Sequence, residues 1–489
     1  YFQISYGGGY GMDMLDKCLE TNNFGVDNMI FDYDEQPKKI DVAIQSYENK
    51  LDPIKSEFHQ TKFQVCIKAL KKNYLVTEKI MIFIEPRHPE LIGKLSRSYF
   101  RVQIIGSRIF SPQRVKSTNS SFLIYESLLQ DPGRYTLQVR LMFYDYPNIY
   151  SLETVDPNHY PNIKLIDEPI VNGNWNFRVS PKRNWKWLNP KLPKTCDGIN
   201  YLTGRWTNDL KIFLPYKCQI PKYEFFDFPE ALQINDKFRY SWIRFLGDSN
   251  LIALFQVLMN RIGAKCIKTL ENTNQKIQYV CTLTYDMEKS NNNTLPRELV
   301  LTNELYFPES SNDLESLLNS AFSENCQPFK ECKDKFQCGI TKFHSTESTE
   351  ICKAKTADYV FVSIGSRTLE WSYSRMDEYL KRIFSNIQEN QSNGKITFMT
   401  TNAMNVHNIP KEYGSQYLIR NNFRIDKINK LLRKYLTQNN TEMVDLIDIW
   451  STTQPIWEFS RDAIHYYRNV YDVQAQLIID KLIERLNKL

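Results

Sequence analysis

The sequence predicts two domains of different class, a β-sandwich followed by an α/β domain with a parallel sheet. Its 489 residues are more than a domain with one hydrophobic core usually contains. One half contains short β-rich runs separated by turn residues, and from Cys196 onward apolar strands alternate with helical segments. We therefore expect four regions: an N-terminal extension over 1–59, the β-sandwich over 60–146, an extended linker over 147–195 and the α/β domain over 196–489.

The composition indicates folded domains and excludes two classes of partner. Hydrophobic residues make up 42% of the chain and aromatic residues 13%, which is ample for packed cores. The net charge is +6, and Lys and Arg are scattered among acidic residues. Because nucleic-acid binders usually carry a one-sided basic surface, no nucleic-acid partner is expected. The chain has no apolar run long enough to cross a bilayer, so no membrane span is expected within it.

Ten cysteines indicate an oxidising compartment. Cytosolic proteins seldom keep so many without metal, and the chain has no C-x-x-C pair. Three cysteines and His344 recur at six-residue spacing, which is not a zinc-finger spacing. Disulfides are therefore favoured, and no metal or cofactor is expected. The neighbouring pairs Cys196–Cys218 and Cys266–Cys281 are the candidates, and a disulfide-rich insertion is expected at about 266–352.

Further features fit the secretory pathway. The residues Tyr1–Gln3 resemble the remnant of a protease-site tag, and no signal peptide follows them, so a removed signal or anchor is left open. N-x-S/T sequons permit glycosylation at Asn119, Asn292, Asn390 and Asn439. We expect a protein of the secretory lumen (Golgi or endoplasmic reticulum), the cell surface or the extracellular space.

The β-sandwich is predicted to be immunoglobulin-like. Its last run, TLQVRLMFYD, has the period-2 pattern of a half-buried strand. Leu137, Val139, Leu141 and Phe143 alternate with Gln138, Arg140 and Met142. Just before it stands DPGRY, with the D-x-G-x-Y spacing of a tyrosine corner, in which the Tyr135 hydroxyl bonds back to nearby backbone. Residues 147–195 follow and are rich in Pro, Asn and Trp with weak periodicity, so we interpret them as an extended connection.

In the α/β half, each element has its own apolar run. KFRYSWIRFLGD predicts a strand and LIALFQVLMNRIG predicts a helix that ends at Gly263. ADYVFVSIGS, KITFMTTNA and MVDLIDIW predict three further strands, and VQAQLIIDKLIERLNKL predicts the closing helix. An open parallel sheet places its active site at the carboxyl ends of its strands. Functional residues are therefore sought where these strands end.

The stretch GDSN lies at such a strand end, and Ser249 is a candidate nucleophile. The following helix directs N–H groups and its positive dipole end toward the serine, where an oxyanion would develop. Gly247 and Asn250 are candidate members of that oxyanion site. An alternative is that Asp248 or Ser249 simply caps the helix.

A serine needs a base, and FSRDAIHYY supplies one. Asp462 and His465 are three residues apart, so on a helical turn they would share a face and the carboxylate would orient the imidazole. Ser249, His465 and Asp462 are therefore the predicted catalytic triad. The alternative is a surface histidine with a chance acidic neighbour, which becomes less favoured when GDS and D-x-x-H occur together at these positions.

The GDS and D-x-x-H motifs resemble those of the SGNH (GDSL-like) hydrolase superfamily. Within it the chain is most similar to the PC-esterase group, which includes the neurexophilin and PC-esterase proteins and plant polysaccharide O-acetyltransferases. The block with Gly204, Trp206 and Cys218 and the closing segment support this choice. The resemblance implies an α/β/α SGNH-hydrolase-like domain, an acetyl group and a glycan or polysaccharide substrate. It leaves the acetyl donor and the oligomeric state unknown.

One block departs from that family. Members usually carry Gly-x-His, Gly-His or Gly-x-Asn at the third strand, where the side chain helps to bind the oxyanion. Here SIGSRTLEW has Arg367 at that position, and either an oxyanion contact or a structural salt bridge is open to it. The sequence thus predicts a carbohydrate O-acetyltransferase or acetylesterase. The rival is a catalytically inactive interaction protein of the cell surface that binds through its β-sandwich.

Overall fold

The computed structural model describes the chain in separate stretches, which divide into two compact units. The first unit holds the described residues up to 182 and Arg205–Ile212. The second holds the remaining described residues, which are Cys196, Thr203, Gly204 and those from Phe213 onward. The described residues are 62–68, 71–115, 121–146, 165–182, 196, 203–220, 240–268, 277–285, 297–305, 359–390, 395–409, 419–439 and 444–486.

The first unit is a curled, mixed β-sheet around one apolar core. Its strands are β1 (Phe63–Lys68), β2 (Asn73–Leu75), β3 (Lys79–Pro86), β4 (Tyr99–Gly106), β5 (Arg108–Phe110), β6 (Gln113–Val115), β7 (Leu123–Leu128), β8 (Gly133–Phe143) and β9 (Glu168–Ser180). A short helix, α1 (Ile92–Leu95), follows a 3-10 turn at Pro89–Leu91. The strands run in the order β5-β4-β8-β9-β1-β3-β7-β6, and β10 (Gly204–Thr207) pairs with β5. One core cluster contains side chains from both halves of this order, which is the arrangement of a sandwich.

The tyrosine corner is present in this unit. The Tyr135 hydroxyl donates to the backbone oxygen of Asp131 at 3.0 Å, and the Tyr135 ring is buried. Along β8, Leu137, Val139 and Leu141 are buried, as the alternation predicts. Met142 is also buried, so the alternation ends one residue before the strand does.

The segment predicted as an extended linker contains a strand of this sheet. β9 pairs with β8 in antiparallel register from Gly133↔Val179 to Leu141↔Glu168. Its register shifts at a bulge near Asn172, whose φ of 57° is left-handed, and Gly173, where a Cβ would lie 2.5 Å from the Val139 oxygen. The bulge interrupts the period-2 pattern after Ile170, and only Trp175, Phe177 and Val179 alternate with polar residues. The prediction of a linker over 147–195 is therefore wrong for residues 168–180.

The second unit contains a seven-stranded sheet in the order β13-β14-β15-β12-β16-β17-β18. The strands from β15 to β18 in this order are parallel, and β13 and β14 are antiparallel. The bounds of its strands are β12 (Tyr240–Gly247), β13 (Lys265–Lys268), β14 (Ile277–Tyr285), β15 (Arg297–Leu305), β16 (Tyr359–Ser363), β17 (Lys395–Met399) and β18 (Val444–Ile447). The short strand β11 (Phe213–Pro215) is not part of this sheet. The helices are α2 (Ser249–Ile262), α3 (Tyr373–Asn390), α4 (Asn422–Asn439), α5 (Trp450–Thr453) and α6 (Arg468–Leu486), with 3-10 turns at Arg367–Glu370, Val406–Asn408 and Gln454–Phe459.

Part of the predicted insertion belongs to this sheet. β13, β14 and β15 fall within 265–305, and β15 pairs with β12 along its whole length. The parallel sheet is therefore extended by an antiparallel edge hairpin, which the cysteine-rich composition of this region had concealed. The remainder of the predicted insertion, like the extension over 1–59, lies outside the described residues.

Both candidate disulfides form. Cys196 bonds to Cys218, and Cys266 bonds to Cys281 across directly opposed positions of β13 and β14. Of the sequon asparagines, Asn390 and Asn439 are the last residues of α3 and α4, whereas Asn119 and Asn292 lie outside the described residues. None of the described helices is long and apolar enough to cross a membrane.

Candidate active site

Ser249 is the first residue of α2, at the carboxyl end of the central strand β12. Asp248 precedes it in extended conformation, and its carboxylate accepts the backbone N–H of Asn250 at 3.0 Å. The alternative of a helix cap therefore holds for Asp248. Ser249 is left at the first helical position, where the backbone N–H has no helical acceptor.

Gly247 is required here for space. A Cβ on Gly247 would lie 2.6 Å from Cδ2 of Leu251 and 3.0 Å from Cβ of Ser363. Any side chain at position 247 would therefore push the nucleophile turn away from α2 or from β16. The glycine lets β12 end close against its neighbours, which fixes where Ser249 begins the helix.

The histidine lies on a bend before α6. Asp462 Oδ1 accepts the backbone N–H groups of Ile464 and His465, each at 2.8 Å, and Oδ2 lies 2.9 Å from His465 Nδ1. The sequence predicted a helical turn for this D-x-x-H. The observed turn is instead closed by the aspartate side chain, which competes with helical backbone bonds.

The three predicted triad residues form a row of contacts at hydrogen-bonding distance, from Asp462 to His465 and from His465 to Ser249. His465 Nε2 lies 2.9 Å from Ser249 Oγ, although 216 positions separate the two residues. Burial raises the pKa of Asp462, but the N–H groups of His465 and Ile464 and the His465 imidazole outweigh it and hold that pKa below its ordinary value. The Asp462 carboxylate is therefore ionised at neutral pH and faces the ring nitrogen opposite the one that faces serine.

A second turn, after β16, lies against the nucleophile turn. Asp248 Oδ2 accepts the backbone N–H of Ser366 at 2.8 Å and the Ser366 hydroxyl at 3.2 Å. Gly365 has a φ of 77°, the left-handed region that favours glycine. Arg367 begins the 3-10 turn that follows, but its side chain lies outside the described part of the structure. Its role at the oxyanion stays a prediction.

Asn250 makes contacts that sequence reasoning did not anticipate. Its backbone N–H is bound by Asp248, and its side-chain Oδ1 accepts the hydroxyl of Tyr471 at 3.0 Å. The Tyr471 oxygen in turn accepts the backbone N–H of Tyr466, the residue after His465. Burial raises the pKa of Tyr471, so its hydroxyl stays protonated and able to donate. These hydrogen bonds link α2, which begins at Ser249, to the segment that contains His465. No local sequence pattern predicts them.

A small cavity lies behind the nucleophile turn, lined by Asp248, Asn250, Thr401 and Asn402 among others. Its volume of about 10 Å³ is the space of a single water. The Asn402 oxygen accepts from Gln474 at 2.9 Å, while its buried Nδ2 has no partner among the described residues. Within the same residues, no cluster of three or more His, Cys, Asp or Glu side chains is arranged to hold a metal ion.

No protein-family model and no curated protein matches the chain. Solved structures do. A peptidoglycan O-acetylesterase is similar over 54% of this chain and 96% of its own, with 9% identity and a TM-score of 0.31. A lipase/acylhydrolase from Enterococcus faecalis is similar over 50% of this chain and 96% of its own (14% identity, TM-score 0.29). The Lin-41 filamin domain is similar over 25% of this chain and 94% of its own (10% identity, TM-score 0.17). At these identities and TM-scores the likeness carries no weight for activity, which is inferred below from the site itself.

Proposed function

We propose that this protein is a serine-dependent acyl-ester enzyme in which Ser249, His465 and Asp462 act as a catalytic triad. The observation that carries the proposal is the pair of 2.9 Å distances, from Asp462 Oδ2 to His465 Nδ1 and from His465 Nε2 to Ser249 Oγ. Nucleophile, base and orienting carboxylate are in hydrogen-bonding order, which is the arrangement that activates a serine hydroxyl.

In the proposed first half-reaction, Ser249 Oγ attacks the ester carbonyl carbon and its proton passes to His465 Nε2. Asp462 holds the other ring nitrogen in the protonated tautomer and stabilises the imidazolium that forms. The carbonyl oxygen becomes an oxyanion beside the N-terminus of α2, where the Ser249 N–H and the helix dipole favour negative charge. When the tetrahedral intermediate collapses, His465 returns the proton to the leaving alcohol, and the acyl group stays on Ser249.

In the second half-reaction, an acceptor hydroxyl attacks the acyl carbon and gives its proton to His465 Nε2. The bond from the acyl carbon to Ser249 Oγ then breaks, and His465 returns the proton to Oγ. Water as the acceptor gives an esterase, and a sugar hydroxyl gives a transferase. We propose an acetyl group and a glycan or polysaccharide substrate on the resemblance to the PC-esterase group, with a slight preference for transfer. The two disulfides support a location in the secretory pathway or outside the cell.

The test is reaction of the purified chain with a fluorophosphonate probe and turnover of 4-nitrophenyl acetate. Wild type is expected to be labelled at Ser249 and to hydrolyse the ester, and S249A and H465A are expected to lose both reactions. H407A is the matched control for a histidine-to-alanine change, since His407 lies outside the proposed triad and its ring stacks on Trp457. Release of acetate from O-acetylated polysaccharides, measured with and without sugar acceptors, then separates esterase from transferase.

Two results would contradict the proposal. Labelling of a residue other than Ser249 would assign the nucleophile elsewhere. A wild-type chain that neither labels nor turns over, while H407A and wild type are equally well folded by circular dichroism, would favour the rival. In that case the α/β unit is a retired enzyme, and the β-sandwich becomes the surface whose partner should be sought.

A further inference from the structure

We propose that Asp248 is a positioning residue that sets the separation between the nucleophile turn and the turn after β16. This inference rests on the proposed function, because the quantity that Asp248 would govern is the reactivity of Ser249. Asp248 does not reach the reacting atoms in this proposal. It acts through the two segments of backbone that its carboxylate holds together.

The Asp248 carboxylate binds one turn with each oxygen. Oδ1 accepts the backbone N–H of Asn250 at 3.0 Å, which caps α2 and fixes the conformation on either side of Ser249. Oδ2 accepts the backbone N–H of Ser366 at 2.8 Å and the Ser366 hydroxyl at 3.2 Å. Asn250 and Ser366 belong to different strand ends, so this one side chain ties two edges of the site directly.

The surroundings are built to accept that contact. Asp248 is only 3% exposed, and a buried carboxylate must have its lone pairs satisfied. A Cβ at Gly365 would lie 2.9 Å from Asp248 Oδ2, so the turn after β16 can approach this closely only with glycine at that position. The left-handed φ of Gly365 then points the next N–H at the carboxylate.

A carboxylate is the group that these contacts require. Three donors converge on its two oxygens, and an ionised carboxylate accepts on both. An asparagine has nearly the same shape but presents an NH₂ group to one of the two turns. One backbone N–H would then face another donor, so one turn would be released while the side-chain volume stays constant. D248N therefore isolates the bridging contact from simple loss of packing.

The test compares wild type, D248N, D248A and S366A in ester hydrolysis. We expect kcat to fall about tenfold in D248N and about 100-fold in D248A, with KM within about twofold of wild type, since small displacements of positioned groups cost rate more than affinity. S366A removes only the hydroxyl contact and should lose less than D248N. D472N, which alters a partly exposed aspartate bound to Arg261, is the control for an aspartate-to-asparagine change and should leave kcat unchanged.

Hydrogen exchange of the Asn250 and Ser366 amides tests whether the Asp248 carboxylate binds both turns, and it can be measured even in a variant without turnover. Both amides are expected to be protected in wild type, and the Ser366 amide is expected to exchange faster in D248A. An active wild type with equal kcat in D248N overturns the positioning role and leaves the triad standing. A wild type that does not label overturns the proposed function instead, and unprotected Asn250 and Ser366 amides in that chain would overturn the bridge as well.

Discussion

At the scale of single residues, the imidazole of His465 depends on Asp462 for its place and its tautomer. Asp462 binds the backbone N–H of His465 with one oxygen and Nδ1 with the other. The backbone contact holds the turn, and the ring contact leaves Nε2 free to accept a proton from Ser249. Both contacts need an acceptor oxygen, and a neutral amide presents one oxygen and one NH₂ group, so it satisfies one contact and not the other.

We therefore predict that D462N lowers kcat by about 10³- to 10⁴-fold, since the carboxylate fixes the tautomer and stabilises the imidazolium. The measurement is the rate of ester hydrolysis, together with the rate of fluorophosphonate labelling. D472N again serves as the control. A D462N enzyme with near-wild-type kcat would show that another group orients His465.

Asp462 also predicts how stability depends on pH. Its pKa is lower in the folded chain than the ordinary value, so the folded state binds this proton less tightly than the unfolded state does. The resulting stabilisation is present above the ordinary carboxylate pKa and is lost as pH falls through the lowered one. The difference in free energy of unfolding between wild type and D462N should shrink between about pH 5 and about pH 2. Urea unfolding at several pH values measures it, and a constant difference would contradict the assignment.

At the scale of elements, helix α2 has a capping residue at each end that its local sequence supplies. Asp248 caps its N-terminus, and Gly263 ends it with a left-handed φ of 73°. This element could be predicted because apolar positions repeat along it and a glycine follows. Buried Leu251, Leu254 and Leu258 confirm the apolar face.

The C-terminal glycine gives a stability prediction. In G263A a Cβ must adopt the left-handed region, which costs about 1–2 kcal/mol. G263N should lose less, because asparagine visits that region more readily. Urea titration gives the free energy of unfolding of both variants. Equal values for G263A and wild type would mean that the end of the helix rearranges. Gly263 lies at the far end of α2 from Ser249, so kcat per folded molecule is expected to be unchanged.

Other elements could not be predicted for identifiable reasons. β9 is interrupted by a bulge at Asn172, so its alternation is confined to Trp175, Phe177 and Val179, a shorter run than the one in β8. β13 to β15 lie in a region whose cysteines and asparagines suggested an insertion, and they join the sheet only through the pairing of β15 with β12, which is distant in sequence. Periodicity reports burial on one face, and it is silent where a strand is irregular or where its partner is distant in sequence.

At the scale of the whole molecule, the site is assembled by topology. Parallel strands place their carboxyl ends at one edge, so motifs far apart in sequence could be expected to meet there. The side-chain hydrogen bonds that join these motifs could not be predicted from the sequence. Asp248 to Ser366 and Tyr471 to Asn250 join residues 118 and 221 positions apart, and neither pair forms a local pattern.

The disulfides give a prediction at this scale. Cys266 and Cys281 are separated by 15 positions, and a loop of that size predicts a stabilisation of about 3 kcal/mol. The double variant C266S/C281S should lose about that free energy of unfolding, by denaturant titration, and keep its kcat. Mass spectrometry of an unreduced digest should show both linked pairs, including Cys196–Cys218. Free thiols at these cysteines in the unreduced protein would contradict the pairing.

The long span between Ser249 and His465 has a practical consequence. In the proposed mechanism, a covalent inhibitor reacts with this serine only after the central strand and the segment before the last helix have come together. The fraction of labelled molecules would therefore equal the fraction in which these segments are correctly assembled. In a refolding reaction sampled over time, the labelled fraction would report completion of the whole proposed catalytic unit, which circular dichroism of its early strands and helices would not report.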